Sequence, residues 1–341
     1  MKKTLKAAAL LGGAAALTTA IGAWCGYHTA FRADPRRQSP IQEIPEGEGF
    51  DDYREQMLEN INILLETPYE RVTVRSHDGL KLVGKFYEGQ PGAPLILFFH
   101  GYRSTAERDG SGGFQLCREK GWHILMPDQR AHGESEGDTI TFGIRERLDC
   151  LAWARYAARR MGPDTPIFLW GISMGAATVL MASDLPMPET VRGIVADCGY
   201  DTPAGILKET IRHRRWPMFP LYPFTVLGAR WFGKFSVTET SAPSSTRRPC
   251  RASTAPGARN ANERTVSDVR TAVTSATFAP SCGSCCQRHP FRTSVTVNAA
   301  VRRSKATRRE ALERTRSVAA AGSPPYAARK NKTPTVHAVS R

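Results

Sequence analysis

Large aliphatic side chains are almost absent from the last 101 residues of this 341-residue chain. Residues 241–341 contain one leucine, Leu312, and no isoleucine, tryptophan or methionine, whereas alanine, arginine, serine and threonine fill 59 of the 101 positions. A segment of this composition buries too little apolar surface to offset the entropy of ordering its backbone. We therefore expect residues 241–341 to form a disordered basic tail.

Net charge is absent from the rest of the chain. Residues 1–240 carry 28 basic and 28 acidic side chains, and residues 241–341 carry 19 basic and 4 acidic ones, so the tail accounts for the whole formal charge of +15. The charge is therefore weak evidence for an anionic partner of the folded region. Its 240 residues suffice for one sizeable core and exclude two large domains.

No cysteine spacing indicates a disulfide framework. Four of the eight cysteines lie far apart in apolar or helical contexts that are typical of buried thiols: Cys25, Cys117, Cys150 and Cys198. The other four lie in the tail, where Cys282, Cys285 and Cys286 are close to His289. This cluster lacks a second pair of ligands at a recognised spacing, so we expect no metal there.

Charged residues are missing from residues 7–31, which follow Lys2, Lys3 and Lys6. Twenty-five uncharged residues are long enough for a helix to cross a bilayer. We expect residues 1–31 to anchor the chain in a membrane, with the rest on the extracytoplasmic side, although the arginines at 32, 36 and 37 weaken the positive-inside argument. The alternative is a cleaved signal segment and a secreted protein.

Residues 32–66 are predicted to form a linker and a leading helix. Prolines and glycines between 33 and 50 are typical of a linker, and residues 51–66 have a helical pattern. Polar and apolar residues alternate over residues 70–76, as in a strand. An Asp78-Gly79 turn and a second strand-like stretch, residues 80–87, follow, and this order predicts a β-hairpin.

Continuous apolar runs then alternate with helical patterns. The predicted strands are 95–99, 123–126, 167–170 and 191–196, and the predicted helices lie near 112–120, 144–161 and 174–183. Strands of this kind are buried on both faces, and right-handed crossovers place helices on both sides. The predicted fold class is α/β, with a doubly wound, mostly parallel sheet.

A Gly-x-Ser-x-Gly motif, residues 171–175, connects the third of these strands to a helix. A tight turn of this type holds its central residue in a strained conformation and exposes the hydroxyl at the end of the sheet. Ser173 is therefore the candidate nucleophile. The amides of Met174, at the start of the helix, and of Tyr102, in the loop after the first strand, are the candidate oxyanion donors.

These motifs resemble the α/β-hydrolase superfamily, in particular bacterial serine aminopeptidase-like and prolyl-oligopeptidase-like hydrolases. The matching stretches are Phe99-His-Gly-Tyr102, Asp128-Gln-Arg-Ala-His-Gly-Glu-Ser135, Trp170-Gly-Ile-Ser-Met-Gly175 and Ala196-Asp-Cys-Gly-Tyr200. The resemblance covers residues 70 to about 240 and implies a core at 67–240. It further implies a Ser-His-Asp hydrolase without a cofactor, which acts on an ester, amide or thioester of a small molecule or peptide.

The resemblance also assigns roles to other polar residues. It makes His100 and His132 hydrogen-bonded scaffold residues and not the catalytic base. We expect Asp128 and Arg130 to form an ion pair that braces their loop. Asp197, which follows the next strand, is a candidate for the triad acid, although similar proteins usually place that acid one strand later.

Residues 201–240 are rich in aromatic residues and prolines. By position they resemble a helical cap that supplies an apolar pocket over the site, and ordinary packing of a helical insertion explains them equally well. Arg212, Arg214 and Arg215, beside His213, are expected to form a solvated face.

The later parts of such a hydrolase are missing from the pattern. Triad order in this superfamily is nucleophile, acid, histidine, yet no buried strand is evident after Thr240, and the remaining histidines, His289 and His337, follow no strand. We therefore expect the final strands to be missing and the activity to be impaired. A change of reading frame near residue 241 is our hypothesis for the abrupt change in composition.

A binding protein is the alternative function. The basic tail, with a cluster at residues 302–309, could contact nucleic acid or anionic lipid. The tail has few aromatic residues and no recognised nucleic-acid module, so we expect no nucleic-acid partner.

Overall fold

The computed structural model describes residues 2–44, 51–242 and 294–296. All of them belong to one structural unit, Met1–Asn298. Most of the predicted tail therefore lies outside the described residues, and so do its cysteine cluster, its basic cluster and its two histidines.

One mixed sheet forms the centre of this unit, with the order β1-β2-β4-β3-β5-β6-β7. The strands are β1 Glu70–Arg75, β2 Lys81–Tyr87, β3 Leu95–Phe99, β4 His123–Pro127, β5 Ile167–Ile172, β6 Val191–Asp197 and β7 Ser294–Thr296. The four strands β3 to β6 are parallel, and β1, β2 and β7 are antiparallel to their neighbours. The predicted hairpin and the four predicted strands are confirmed.

Seven α-helices accompany the sheet in the described part of the chain. They are α1 Lys2–Ala30, α2 Arg54–Glu66, α3 Ala106–Lys120, α4 Glu146–Met161, α5 Met174–Ala182, α6 Pro203–His213 and α7 Met218–Trp231. Helix α3 begins six residues before the predicted start, because its glycines at 110, 112 and 113 hide the helical pattern in the sequence, while Thr105 caps its first turn.

The helices cover both faces of the sheet. Leu95, Leu97 and Phe99 of β3 pack in one core with α4 and α5, and the alternate residues Ile96 and Phe98 pack in another core with α2 and α3. This alternation follows from the two-residue period of a strand. The doubly wound α/β architecture predicted from the sequence is confirmed.

The edge of the sheet beyond β6 is covered by a short strand that the sequence pattern does not reveal. Three residues of the tail, Ser294–Thr296, form β7 and pair antiparallel with Ile194–Ala196. Three residues are too few for a periodicity signal, so only the backbone pairing identifies this strand. Apart from β7, the described residues contain no strand after β6.

Helix α1 has an exposed half and a buried end. Apolar side chains between residues 5 and 21 are exposed, whereas Ala23, Tyr27 and Phe31 are buried at 0 to 5 % exposure. The stretch Thr4–Ala30 is the one helix in the described part of the chain that is long and apolar enough to cross a membrane. Its last two turns nevertheless pack within the α/β unit.

Small residues allow α1 and α7 to approach closely. A side chain added at Gly228 of α7 would lie 2.2 Å from the carbonyl oxygen of Ala23, and one added at Gly26 of α1 would lie 2.8 Å from the Cα of Thr225. Both contacts are with backbone, which cannot rotate away. The presence of glycine at these two positions therefore sets the distance between the helices.

Replacing Gly228 by alanine is expected to lower the free energy of unfolding by about 1–3 kcal/mol, because α1 and α7 must separate to admit the methyl group. Urea unfolding of the chain in detergent micelles, followed by tryptophan fluorescence, measures the change. Gly112→Ala is the matched control, since nothing lies within 4 Å of a side chain at that position in α3. The control should be neutral or stabilising. A Gly228→Ala chain as stable as the control would refute the close packing.

Candidate active site

The turn between β5 and α5 holds Ser173 in a strained conformation. Its backbone angles are φ 54° and ψ −111°, in a region that residues with side chains rarely adopt. A side chain at Gly171 would lie 2.2 Å from the carbonyl oxygen of Gly175, and one at Gly175 would lie 2.0 Å from that of Phe99. The turn can therefore form only with glycine on both sides of the serine.

The serine turn lies at the point where the strand order reverses. The chain runs from β3 to β4 on one side of β3 and then returns to β5 on the other side. The loops after β3 and β5 therefore leave the sheet next to each other. The carboxyl ends of parallel strands at such a reversal are the usual place for a ligand.

The loop after β3 is held beside Ser173 by a network of hydrogen bonds. A side chain at Gly101 would lie 3.5 Å from the Cβ of Ser173. The amide of Gly101 donates to Asp109 Oδ2 over 2.7 Å, and the hydroxyl of Ser104 donates to Asp109 Oδ1 over 2.6 Å. Asp109 in the first turn of α3 thus fixes the loop that carries Tyr102.

The two amides predicted as oxyanion donors lie on either side of this junction. Met174 begins α5 directly after the serine, and Tyr102 follows Gly101. Within the described residues, neither amide donates a hydrogen bond to another part of the chain. The arrangement can therefore present two N–H groups to a negatively charged oxygen, as an acyl-transfer site requires.

Both scaffold histidines have their ring nitrogens occupied by backbone groups. Nε2 of His100 accepts from the amide of Gln129, and Nε2 of His132 accepts from the amide of Arg103, each over 3.0 Å. Since an accepting nitrogen carries no hydrogen, Nδ1 of each ring donates to a carbonyl, that of Gly101 or of Arg130, over 2.9 Å. These hydrogen bonds fix the orientation of each ring within its loop.

Neither histidine is placed to take a proton from Ser173. Burial, with a smaller contribution from the neighbouring His100, lowers the pKa of His132 to about 3. Among the described residues, no histidine is hydrogen-bonded to the serine hydroxyl. The base of the triad, which could not be identified from the sequence, is not found in this part of the chain.

The predicted ion pair between Asp128 and Arg130 is wrong. Arg130, buried at 2 % exposure of its side chain, instead donates to both oxygens of Asp149 on α4, over 2.5 and 2.7 Å, and to Asp78 in the β1–β2 turn over 2.9 and 3.0 Å. Asp128 accepts from the amide of Glu134 over 3.0 Å. The chain turns between these two residues, so that Arg130 reaches Asp149 on α4 while Asp128 reaches the amide of Glu134.

Asp197, the candidate acid, lies next to the serine turn. It is the last residue of β6, it is opposite Ile172 in the register of β5 and β6, and it is buried. Its backbone carbonyl accepts the amide hydrogen of Ser173 over 2.8 Å. Its proposed role in catalysis stays a prediction, because the described residues include no histidine between its carboxylate and the serine.

The end of α1 lies against the same loops, which the sequence did not reveal. The hydroxyl of Tyr102 donates to the carbonyl of Ala30 over 2.8 Å, and Arg103 donates to the carbonyl of Thr29 over 2.9 Å. The ring of Phe142 stacks on Tyr102 at 5.0 Å and meets Phe31 edge-on at 5.7 Å. The only signal in the sequence is the appearance of aromatic residues at the end of an alanine- and glycine-rich segment.

An apolar cluster connects these residues with the predicted cap. The cluster includes Leu207 of α6 and Ala229 of α7. It also includes three residues from other parts of the chain: Met174, Tyr200 and Phe31. The two helices α6 and α7 thus share an apolar cluster with the start of α5, which carries Ser173 at its N-terminus. A separate surface cavity of about 540 Å³ between β1 and α4 includes none of the residues that surround the serine.

Comparison with known proteins agrees with this architecture. The family model of the alpha/beta hydrolase fold matches residues 94–233, and this segment belongs to the α/β-hydrolase superfamily. The subfamily predicted from the motifs stays a prediction.

Three individual proteins illustrate the likeness. The chain is 30 % identical to thiohydrolase aneE of Aspergillus aculeatus over 139 residues, 39 % of this chain and 42 % of that protein. It is 29 % identical to the uncharacterized protein YqkD of Bacillus subtilis over 113 residues, 32 % of this chain and 37 % of that protein. An esterase of Pyrococcus furiosus, Pf2001, is 24 % identical with a TM-score of 0.40, and the match covers 49 % of this chain and 64 % of the esterase. The chain spans less than half the length of these two curated relatives.

Proposed function

We propose that this protein descends from serine hydrolases that cleave an ester, amide or thioester, with Ser173 as the nucleophile. The observation that carries the proposal is the strained conformation of Ser173, at the reversal of the strand order and beside the Gly101–Tyr102 loop. Strain of this kind persists where the surrounding structure imposes it, as at the nucleophile of an acyl-transfer enzyme.

In the proposed reaction, Oγ of Ser173 attacks the carbonyl carbon of the substrate and its proton passes to a base. The amides of Tyr102 and Met174 donate to the oxygen that becomes negatively charged. The leaving alcohol, amine or thiol departs with a proton, and water then releases the acyl group from the serine. The name of one relative, a thiohydrolase, supports the inclusion of thioesters among the substrates.

We further propose that the activity of this chain is impaired. Loss of the base removes most of the advantage of a serine nucleophile and leaves only the contributions of the oxyanion donors and of binding. The composition after residue 240 supports a changed reading frame as the cause, because leucine and isoleucine almost vanish while arginine, alanine, serine and threonine dominate. The nucleotide sequence around codon 240 tests this directly: a shifted frame should encode a strand with an acidic loop and a later histidine loop.

A fluorophosphonate probe tests the role of Ser173. We expect the present chain to react about 10⁴- to 10⁶-fold more slowly than a chain whose C-terminal part is translated in the shifted frame, because only the latter supplies a base. Mass spectrometry of the modified peptide locates the label, which should lie on Ser173 in both chains.

Two serine variants serve as controls in the frame-restored chain. Ser173→Ala should abolish labelling, whereas Ser183→Ala, at the other end of the same helix, should leave it unchanged. Labelling that survives Ser173→Ala would contradict the assignment of the nucleophile. Rapid labelling of the present chain at Ser173 would contradict the proposed impairment.

We propose that α1 anchors this protein in a membrane and is retained in the mature chain. Its exposed part, roughly residues 4–21, supplies the apolar surface for lipid. Cleavage after this segment as a signal would remove Tyr27 and Phe31, which are buried against Phe232, Phe142 and Phe235. The intact mass of the protein extracted from membranes tests the proposal, since a cleaved signal would shorten the chain by more than 20 residues.

A further inference from the structure

We propose that the predicted cap has its own contact with the membrane: an aromatic and basic patch, residues 212–219, rests on an anionic lipid surface beside α1. The inference extends the membrane anchoring proposed for α1. The sequence alone suggests only a solvated face for the arginines of this patch.

The direction of the helices places the patch on the side where α1 leaves the fold. Gly22 of α1 meets the ring of Phe224, Tyr27 meets Phe232 with 5.9 Å between ring centroids, and Phe31 meets Phe235 at 5.1 Å. Residue numbers rise together along both segments, so α1 and α7 run in the same direction. The start of α7, with residues 212–217 just before it, therefore lies toward the exposed half of α1.

The depth of the patch matches the proposed span. About 18 residues of α1, from 4 to 21, rise about 27 Å, close to the thickness of the hydrocarbon core. Phe219 itself has an extended backbone (φ −107°, ψ 132°) and precedes the regular turns of α7. The first of these turns, at Pro220, lies four residues before Phe224, which meets Gly22, and so is level with about residue 18 of α1. An aromatic side chain at this level would reach just below the headgroups, where interfacial helices bury their apolar residues.

The chemistry of the patch suits a lipid surface better than water. Phe219 is 80 % exposed and Trp216 is 45 % exposed, unusual values for large aromatic side chains. Arg212, Arg214 and Arg215 are exposed, and the guanidinium of Arg214 lies over the ring of Trp216 at 5.2 Å. Aromatic rings prefer the membrane interface, while arginines bind anionic headgroups.

The charge of the patch identifies the occupant. Glu209 is the only acidic residue on α6, and it pairs with Arg212 over 3.3 Å, so Arg214 and Arg215 leave a net positive surface. Each arginine near an anionic membrane strengthens binding by about fivefold. Leu17 and Ile21, in the half of α1 toward which the patch lies, are exposed apolar residues. A bilayer with anionic lipids complements both parts together.

Photocrosslinking of the full-length chain in vesicles tests the proposal. A photoreactive benzoylphenylalanine replaces Phe219, and in separate chains it replaces Leu11 of α1 or Glu88, which is exposed after β2. In vesicles that contain phosphatidylglycerol, we expect lipid adducts at positions 219 and 11 and none at 88. Vesicles of phosphatidylcholine alone should give fewer adducts at 219 and an unchanged yield at 11.

Charge reversal separates the basic patch from a general effect of charge. Arg214→Glu with Arg215→Glu should lower the adduct yield at position 219 at least fivefold in anionic vesicles. Arg155→Glu with Arg159→Glu, on the exposed face of α4, is the matched control and should not change it.

The outcomes distinguish this inference from the anchor on which it rests. Lipid adducts at 11 but none at 219 would overturn the contact of the patch and leave the anchor intact. Adducts at 219 to a second protein chain would also overturn it. Absence of adducts at both positions would refute both the anchor and the patch.

Discussion

Replacing Arg130 by methionine is expected to lower the free energy of unfolding by about 3–5 kcal/mol, the usual cost of removing one partner from a buried ion pair. The guanidinium is the only cation that contacts the carboxylates of both Asp78 and Asp149 in the described part of the chain. Burial opposes ionisation of Asp78, yet hydrogen bonds from Arg130 and Ser76 outweigh it and lower the pKa of that carboxyl. Urea unfolding at pH 7.5 measures the loss.

The same change at an exposed pair provides the control. Arg160 also makes two short hydrogen bonds to one carboxylate, that of Glu70, over 2.6 and 2.8 Å, but this pair lies at the surface. Arg160→Met should therefore have a much smaller effect. A double variant, Arg130→Met with Asp149→Leu, should recover part of the stability, because it leaves no unpaired charge against α4. Equal effects at the two arginines would contradict the importance of burial.

The second large effect concerns His132 and acid. Because burial lowers the pKa of its ring to about 3, the folded protein keeps the ring neutral while the unfolded chain binds a proton below pH 6.5. The unfolded state then holds more protons, so stability falls as the pH falls from 6.5 toward 3. The unfolded ring is half protonated at pH 6.5 and almost fully protonated at pH 4.5, so this group should cost about 2 kcal/mol of stability between these two values.

Other groups change protonation in the same range, so the measurement is a difference between chains. Burial raises the pKa of Asp128, and it raises the pKa of Asp149 to about 6 despite the contact of that carboxyl with Arg130. The folded state therefore binds protons at these two carboxyls more readily than the unfolded state does. As the pH falls they add stability, which is opposite to the effect of His132. His132→Gln should therefore reduce the loss of stability between pH 6.5 and 4.5 by about 2 kcal/mol. His213→Gln, at an exposed position, should keep the original dependence. If the free energy of unfolding of His132→Gln depended on pH as that of the unchanged chain does, the proposal that the buried ring of His132 stays neutral would be wrong.

Local patterns were sufficient for much of the fold. The four parallel strands are continuous apolar runs, a pattern that indicates a sheet covered on both faces. The Asp78-Gly79 turn lies between two strands in which polar and apolar residues alternate, and this pattern indicates a hairpin. The strained turn at Ser173 could also be predicted, since a serine between two glycines at a strand-to-helix junction is a local feature. Its role as a nucleophile stays a prediction. The start of α3 at residue 106 was missed because glycines interrupt its helical pattern. The strand at 294–296 was missed because three residues are too few to show a period.

The partners of charged residues could not be read from neighbouring positions. Asp128 and Arg130 are two residues apart, but the chain turns between them, and the carboxylates that contact Arg130 come from Asp78 and Asp149, 52 and 19 residues away in sequence. Such contacts depend on which faces of distant elements meet. Burial then decides the pKa of each group, and no local pattern contains that information.

The sequence by itself therefore determined the class of the sheet, the position of the tight turn that holds Ser173 and the boundary at which the composition changes. Each of these is expressed in residues that are close along the chain. Only the tertiary structure showed that the end of the N-terminal helix packs within the folded unit. Its apolar composition predicts an anchor, but the contacts of Ala30 with Tyr102 and of Ala23 with Gly228 make its end part of the surroundings of the site. These contacts join residues that are 72 and 205 positions apart in the sequence, and they arise from packing, which composition does not encode.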